Sequence, residues 1–103
     1  MMRKAYDLIG IAQRAGKATS GTMAVQRSLK GSRACLLIIS EDVSENTREV
    51  LVRASHKHQV PHIILGDSHV LGHSIGKPFR VALTIDDSGL ADAIVKAVKS
   101  ADM

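Results

Sequence analysis

Six apolar residues in a row, Ala34-Cys35-Leu36-Leu37-Ile38-Ile39, constrain the fold of this chain more than any other stretch. A strand with one wet face alternates apolar with polar residues, because successive side chains point to opposite sides. A run without a polar break belongs to a strand covered on both faces, as in a sheet with helices on either side. Its length suits a strand and falls far short of the roughly 18 residues of a membrane span.

The flanking segments supply such helices. Ala5, Leu8, Ile9, Ala12 and Ala15 recur at three and four, which predicts a helix over 3–15 closed by a left-handed Gly16. A short extended piece, Lys17 to Ser20, leads through Gly21-Thr22 into a second helix over about 22–30, ended by Gly31. Ser44 is a good N-cap for a third over 44–58, with Val50, Leu51 and Ala54 turned inward. Pro61 opens a strand, His62 to Leu65, at the position where its missing N–H does least harm. Asp67-Ser68 starts a short helix carrying Val70 and Leu71, and Phe79 to Ile85 reads as the last strand. Asp86-Asp87-Ser88 then sets carboxylates at the start of a final helix, whose inward face is Leu90, Ala91, Ile94, Val98 and Ala101. Helix and strand alternate throughout, without repeat or linker. The expectation is one domain over 1–103, a three-layer α/β/α sandwich. With only Tyr6 and Phe79 as aromatic residues, its core is aliphatic.

Charge narrows the partners. The net charge is +4, and the basicity is uneven: residues 1–33 carry seven cations against Asp7 alone. A polyanion is the natural partner of such a region, with a solvated basic face as the plainer alternative. The lone Cys35 excludes an internal disulfide, and no signal-peptide pattern follows the Met-Met-Arg-Lys start, so a cytoplasmic location is expected.

The residues offer little to catalysis. Gly10 and Gly16-Lys17 lie one residue too far apart for a phosphate-binding loop, and Gly72 and Gly76-Lys77 one too close. His69 and His73 would share a helix face, but no Glu follows His69 as a hydrolytic zinc motif requires, so no metal site is expected. Cys35 in an apolar strand should have a raised pKa and be inert. Glu41 and Asp42, after the central strand, could act as acid and base; capping the loop into the third helix is the alternative. We expect no enzyme, no cofactor and no small-molecule substrate.

Two segments suit RNA. The first runs from Gly16-Lys17 through Gly21-Thr22 to Arg27 and Lys30, where a glycine-led helix start offers N–H groups to phosphate. The second, Gly72 to Arg80, combines two glycines with Lys77, Arg80 and exposed apolar groups that could pack on a splayed base.

Three stretches, in order, are similar to one family. They are Leu8-Ile9-Gly10-Ile11-Ala12-Gln13-Arg14-Ala15-Gly16-Lys17 with Ser20-Gly21-Thr22, then Ser40-Glu41-Asp42-Val43-Ser44-Glu45-Asn46-Thr47, then Leu71-Gly72-His73-Ser74-Ile75-Gly76-Lys77. Over about residues 3–98 the chain resembles the ribosomal-protein "L-seven-Ae" superfamily of RNA-binding proteins, and within it the small bacterial YlxQ-type members. The resemblance implies a four-stranded mixed sheet and binding to kink-turns, sharply bent RNA elements with tandem sheared G·A pairs. It also implies a contact surface of Gly21, Thr22 and Arg27 with Ile75, Gly76, Lys77 and Pro78. The family's strongest kink-turn binders carry Asn-Glu directly after Gly-Thr. Met23 and Ala24 stand there in this chain and offer no such hydrogen bonds, each good one being worth about 1–3 kcal/mol. The expected interface is therefore Lys17, Gly21, Thr22, Met23, Ala24, Arg27, Lys30, Ile75, Gly76, Lys77, Pro78 and Arg80. The expected function is non-catalytic binding of structured RNA, ribosomal RNA among the candidates, by a ribosomal or ribosome-associated monomer. The alternative is a protein–protein adaptor in which Met23, Ala24 and Ile75 form an apolar contact patch.

Overall fold

The computed structural model describes residues 3–101. Along the chain run α1 (Arg3–Arg14), β1 (Ala18–Ser20), α2 (Thr22–Lys30), β2 (Leu36–Ile39), α3 (Glu45–Lys57), β3 (His62–Ile64), α4 (Ser68–Ser74), β4 (Ala82–Ile85) and α5 (Ser88–Ala101). The four strands form one sheet in the order β1-β4-β2-β3. β4 pairs antiparallel with both β1 and β2, while β2 and β3 are parallel, so the sheet is mixed as expected.

The apolar run of β2 serves both faces. Leu36 and Ile38 join Ala5, Ile9, Leu71, Leu83 and Ile94 on the side covered by α1, α4 and α5. Leu37 and Ile39 join Val25, Leu29, Leu51 and Ala82 beneath α2 and α3. All four side chains of β2 are fully buried. The result is the three-layer sandwich that unbroken apolarity in a central strand demands.

Local signals account for the helix ends. Ser44 Oγ accepts from the Thr47 N–H at 3.2 Å, and Asp67 accepts from the Val70 N–H at 2.9 Å. Asp87 does the same for Leu90 at 2.8 Å and so opens α5.

Three expectations need correction. Val50 does not face inward: it is exposed, and α3 buries Leu51 and Ser55, with Ala54 and Val52 half-buried beside them. Cys35 lies just before β2 and is half-buried, although burial does push its thiol pKa up. The last strand begins at Ala82 rather than Phe79. The Arg80 N–H donates to Ser68 O at 2.9 Å, so Phe79 and Arg80 follow α4 instead of the sheet.

Candidate nucleic-acid interface

Strand directions bring the ends of β1, β2 and β3 and the start of β4 to one end of the sheet. The β1–α2 junction lies there. Gly21 has φ 92° and ψ 141°, a conformation that side chains with a Cβ rarely adopt, and this lets α2 begin directly after the strand. Its N–H donates to Ala82 O at 3.2 Å, which ties the junction to β4. The N-cap, Gly21, has no side chain to accept from the first turn of α2, so among the described residues those N–H groups lack the usual partner.

The segment between α4 and β4 reaches the same end. Ile75 closes α4, Gly76 turns the chain with φ 74°, and the Lys77 N–H donates back to Gly72 O at 2.8 Å. The chain then crosses α4 at Gly72. A Cβ at this position would come within 2.5 Å of Phe79 Cα and 2.7 Å of Phe79 N, so only glycine allows the crossing. Arg80 Nε donates to Ser20 Oγ at 3.2 Å, and its Nη1 donates to Phe79 O at 2.6 Å. Arg80 therefore joins the two segments, as well as being a cation among them.

One polar cluster fixes the loop at this end, and a second ties α2 to the sheet from the other end, where Asp86 follows β4 beside Lys17. Asp42 accepts from both the N–H and the hydroxyl of Ser68, at 2.9 and 2.8 Å, fixing the start of α4. Those bonds keep the Asp42 carboxyl below its ordinary pKa of 3.8. A carboxylate held this way is a poor proton donor or acceptor near neutral pH, which favours a structural role over the acid–base one, although it holds the start of α4 rather than capping the loop into α3. Because the folded-state value is depressed, the contribution of Asp42 is complete above the ordinary carboxylate range and fades as pH falls through the lower value. Asp42→Asn should therefore flatten the acid limb of a stability-versus-pH curve, and superimposable curves would show that the tether contributes nothing.

The second cluster centres on Asp86, which accepts from Thr19 at 2.7 Å and from Ser28 and Thr84 at 3.0 Å each. Ser28 belongs to α2, Thr19 to β1 and Thr84 to β4, so one carboxylate pins the helix to two strands.

The predicted residues are distributed as follows. Gly21, Thr22, Met23 and Ala24 stand at the junction, and Gly76, Lys77 and Pro78 lie in the segment that Arg80 ties to it. Arg27 lies further along α2, and Lys30 ends the helix, roughly 12 Å from its start at 1.5 Å per residue. Lys17 is at the opposite end of β1 from Gly21. Ile75 is not an exposed contact: it is 5% accessible and part of the core beneath α4. The exposed apolar groups are instead Met23, at 75%, and Phe79, at 56%, whose ring lies 6.3 Å from that of His69. Among the described residues the only ion pair within 4.0 Å joins Arg48 and Glu45, so Arg27, Lys30 and Lys77 have no carboxylate partner there. No group of three or more metal-ligating side chains occurs among the described residues, and no helix there is long and apolar enough to cross a membrane.

The chain belongs to the ribosomal protein L7Ae/L30e/S12e/Gadd45 family, whose sequence model matches residues 3–95. Among relatives, the RNA-binding protein YlxQ of Bacillus subtilis (strain 168) is 34% identical over 90 residues, covering 87% of this chain and 90% of that one. The large ribosomal subunit protein eL8 of Thermoplasma volcanium is 31% identical over 102 residues, or 96% of this chain and 83% of its own. A solved structure of a protein of unknown function from Bacillus halodurans C superposes with a TM-score of 0.89 at 27% identity, covering 93% of this chain and 97% of its own. The Giardia lamblia 15.5kD RNA binding protein shares the fold, with a TM-score of 0.75 at 16% identity over 96% of this chain and 85% of its own.

Proposed function

We propose that this chain binds structured RNA with a sharp bend of the kink-turn type, as a cytoplasmic, ribosome-associated monomer that performs no catalysis. The observation that carries the reading is the joining of two distant segments at one end of the sheet. The Gly21–Ala82 and Ser20–Arg80 bonds unite a glycine-led helix start with a loop that bears Lys77. Backbone N–H groups and cations without carboxylate partners suit phosphate. The exposed Phe79 suits the face of an unstacked base. Relatives named as RNA-binding and ribosomal proteins support the same reading.

With Met23 and Ala24 at the start of α2, discrimination rests on RNA shape and backbone more than on base edges. The test is a titration against a kink-turn RNA and a matched straight duplex at several salt concentrations. Binding at least about tenfold tighter to the kink-turn, about 1.4 kcal/mol, is the expected result. Equal affinities with a steep salt slope would mean a basic-patch binder of some other RNA shape. The double substitution Arg27→Ala with Lys77→Ala should lower the slope of log affinity against log salt by about 1.8, or about 0.9 for each phosphate that is no longer neutralised. An unchanged slope would remove both residues from the interface.

Exposed Met23 and Phe79 also favour a second reading, a protein–protein adaptor that keeps the fold without strong RNA binding. Failure to bind either RNA at moderate salt would put that reading first.

A further inference from the structure

Helices α2 and α3 cover the same face of the sheet, and between their outer surfaces runs an open groove of about 400 Å³. Arg27 and Lys30 line it from α2, and Lys57 and His58 from the end of α3. Met23, in the first turn of α2, lies at the same groove and so connects it to the β1–α2 junction. No Asp or Glu lines it, and none of its three cations is in an ion pair among the described residues. Cations near helix C-termini offset the helix dipole, which accounts for a basic residue on each helix. It does not account for three sharing one cavity without a counter-charge, where their mutual repulsion disfavours the free state. A chain of phosphates removes that repulsion.

We infer that this groove holds the ribose–phosphate backbone of the RNA strand continuing from the bend, with Lys57 of α3 as a phosphate contact outside the β1–α2 and α4–β4 segments. The inference rests on the RNA reading above and extends it along one flanking stem.

The experiment compares wild type, Lys57→Ala and Arg53→Ala on two probes: a kink-turn RNA with long flanking stems, and the same RNA trimmed close to the kink. Arg53 is exposed on α3 but faces a different hollow, beside Arg48 and His56, so it reports the general effect of removing one cation. With the long RNA, Lys57→Ala should lower the salt slope by about 0.9 and weaken binding by up to about fivefold, as for an exposed ion pair. Arg53→Ala should leave the slope unchanged, and the Lys57 effect should vanish on the trimmed RNA. Thermal unfolding checks that both variants keep the fold; Lys57 is exposed, so its removal opens no cavity. If Lys57→Ala and Arg53→Ala behave alike, or the Lys57 effect persists on the trimmed RNA, the groove inference falls. The Arg27–Lys77 result would still stand, and the groove would be left to an acidic protein partner. If wild type binds neither RNA, the functional reading falls and this inference with it.

Discussion

Gly72→Ala should lower the midpoint of thermal unfolding by about 12–24 °C, from an overpacking cost of about 3 kcal/mol in a domain of this size. The added methyl would lie 2.5 to 2.8 Å from three backbone atoms of Phe79, and no flexible side-chain end is available to yield. Either α4 or the following segment must move, and that segment carries Lys77, Pro78 and Arg80. RNA affinity should therefore fall together with stability, although Gly72 itself is buried. A melt by circular dichroism alongside the RNA titration checks both. A midpoint within about 2 °C of wild type would show that the crossing gives way at little cost.

Asp86→Ala should have the second largest effect. Its carboxylate accepts three hydroxyl hydrogen bonds, and two of the donors, Ser28 and Thr84, are fully buried. Removing the acceptor leaves those hydroxyls with little but each other, 3.3 Å apart. Unsatisfied buried donors cost about 1–3 kcal/mol each, so a destabilisation of about 2–3 kcal/mol is expected after that mutual bond forms. Because Ser28 is the anchor of α2, amide hydrogen exchange in Thr22–Lys30 should accelerate more than in β2. Asp86→Asn, which keeps one carbonyl acceptor, should restore part of the stability. Wild-type melting and exchange in Asp86→Ala would mean that apolar packing alone positions α2.

The layered fold was legible because its signals are local. Glycine punctuation, Ser44 and Asp87 as caps, and the unbroken apolar run each act within a few residues. The two-sided strand reading holds because Leu36 and Ile38 enter one core and Leu37 and Ile39 the other. The pairing of strands has no such local signal, and the mixed sheet came from family resemblance rather than from periodicity. The departures are tertiary as well. Phe79 and Arg80 leave the sheet because α4 offers Ser68 O and the side-chain-free surface of Gly72. Ile75 sits in a loop-like, glycine-rich stretch, yet it caps α4 and so turns into the core. Val50, beside Leu51, is rotated about 100° from the buried stripe of α3, which periodicity can show only once the other face is known. Of the interface, the glycine-led junction and the basic loop could be read from residue types. The Asp86 cluster could not, since Thr19 and Asp86 lie 67 residues apart, and neither could the position of Lys57 across from Arg27.

The bond from Arg80 to Ser20 spans 60 residues of chain. β1, only three residues long, has β4 as its sole strand partner, so nothing in the sheet can hold it until that later strand exists. On a ribosome the β1–α2 junction emerges well before the strand that fixes it. During synthesis the two halves of the interface are therefore never held together in the unfinished chain. The joined surface is a late feature, formed when a long-range strand pairing closes rather than when the first helices form. A growing chain therefore lacks the joined surface, which forms only once β4 has paired with β1.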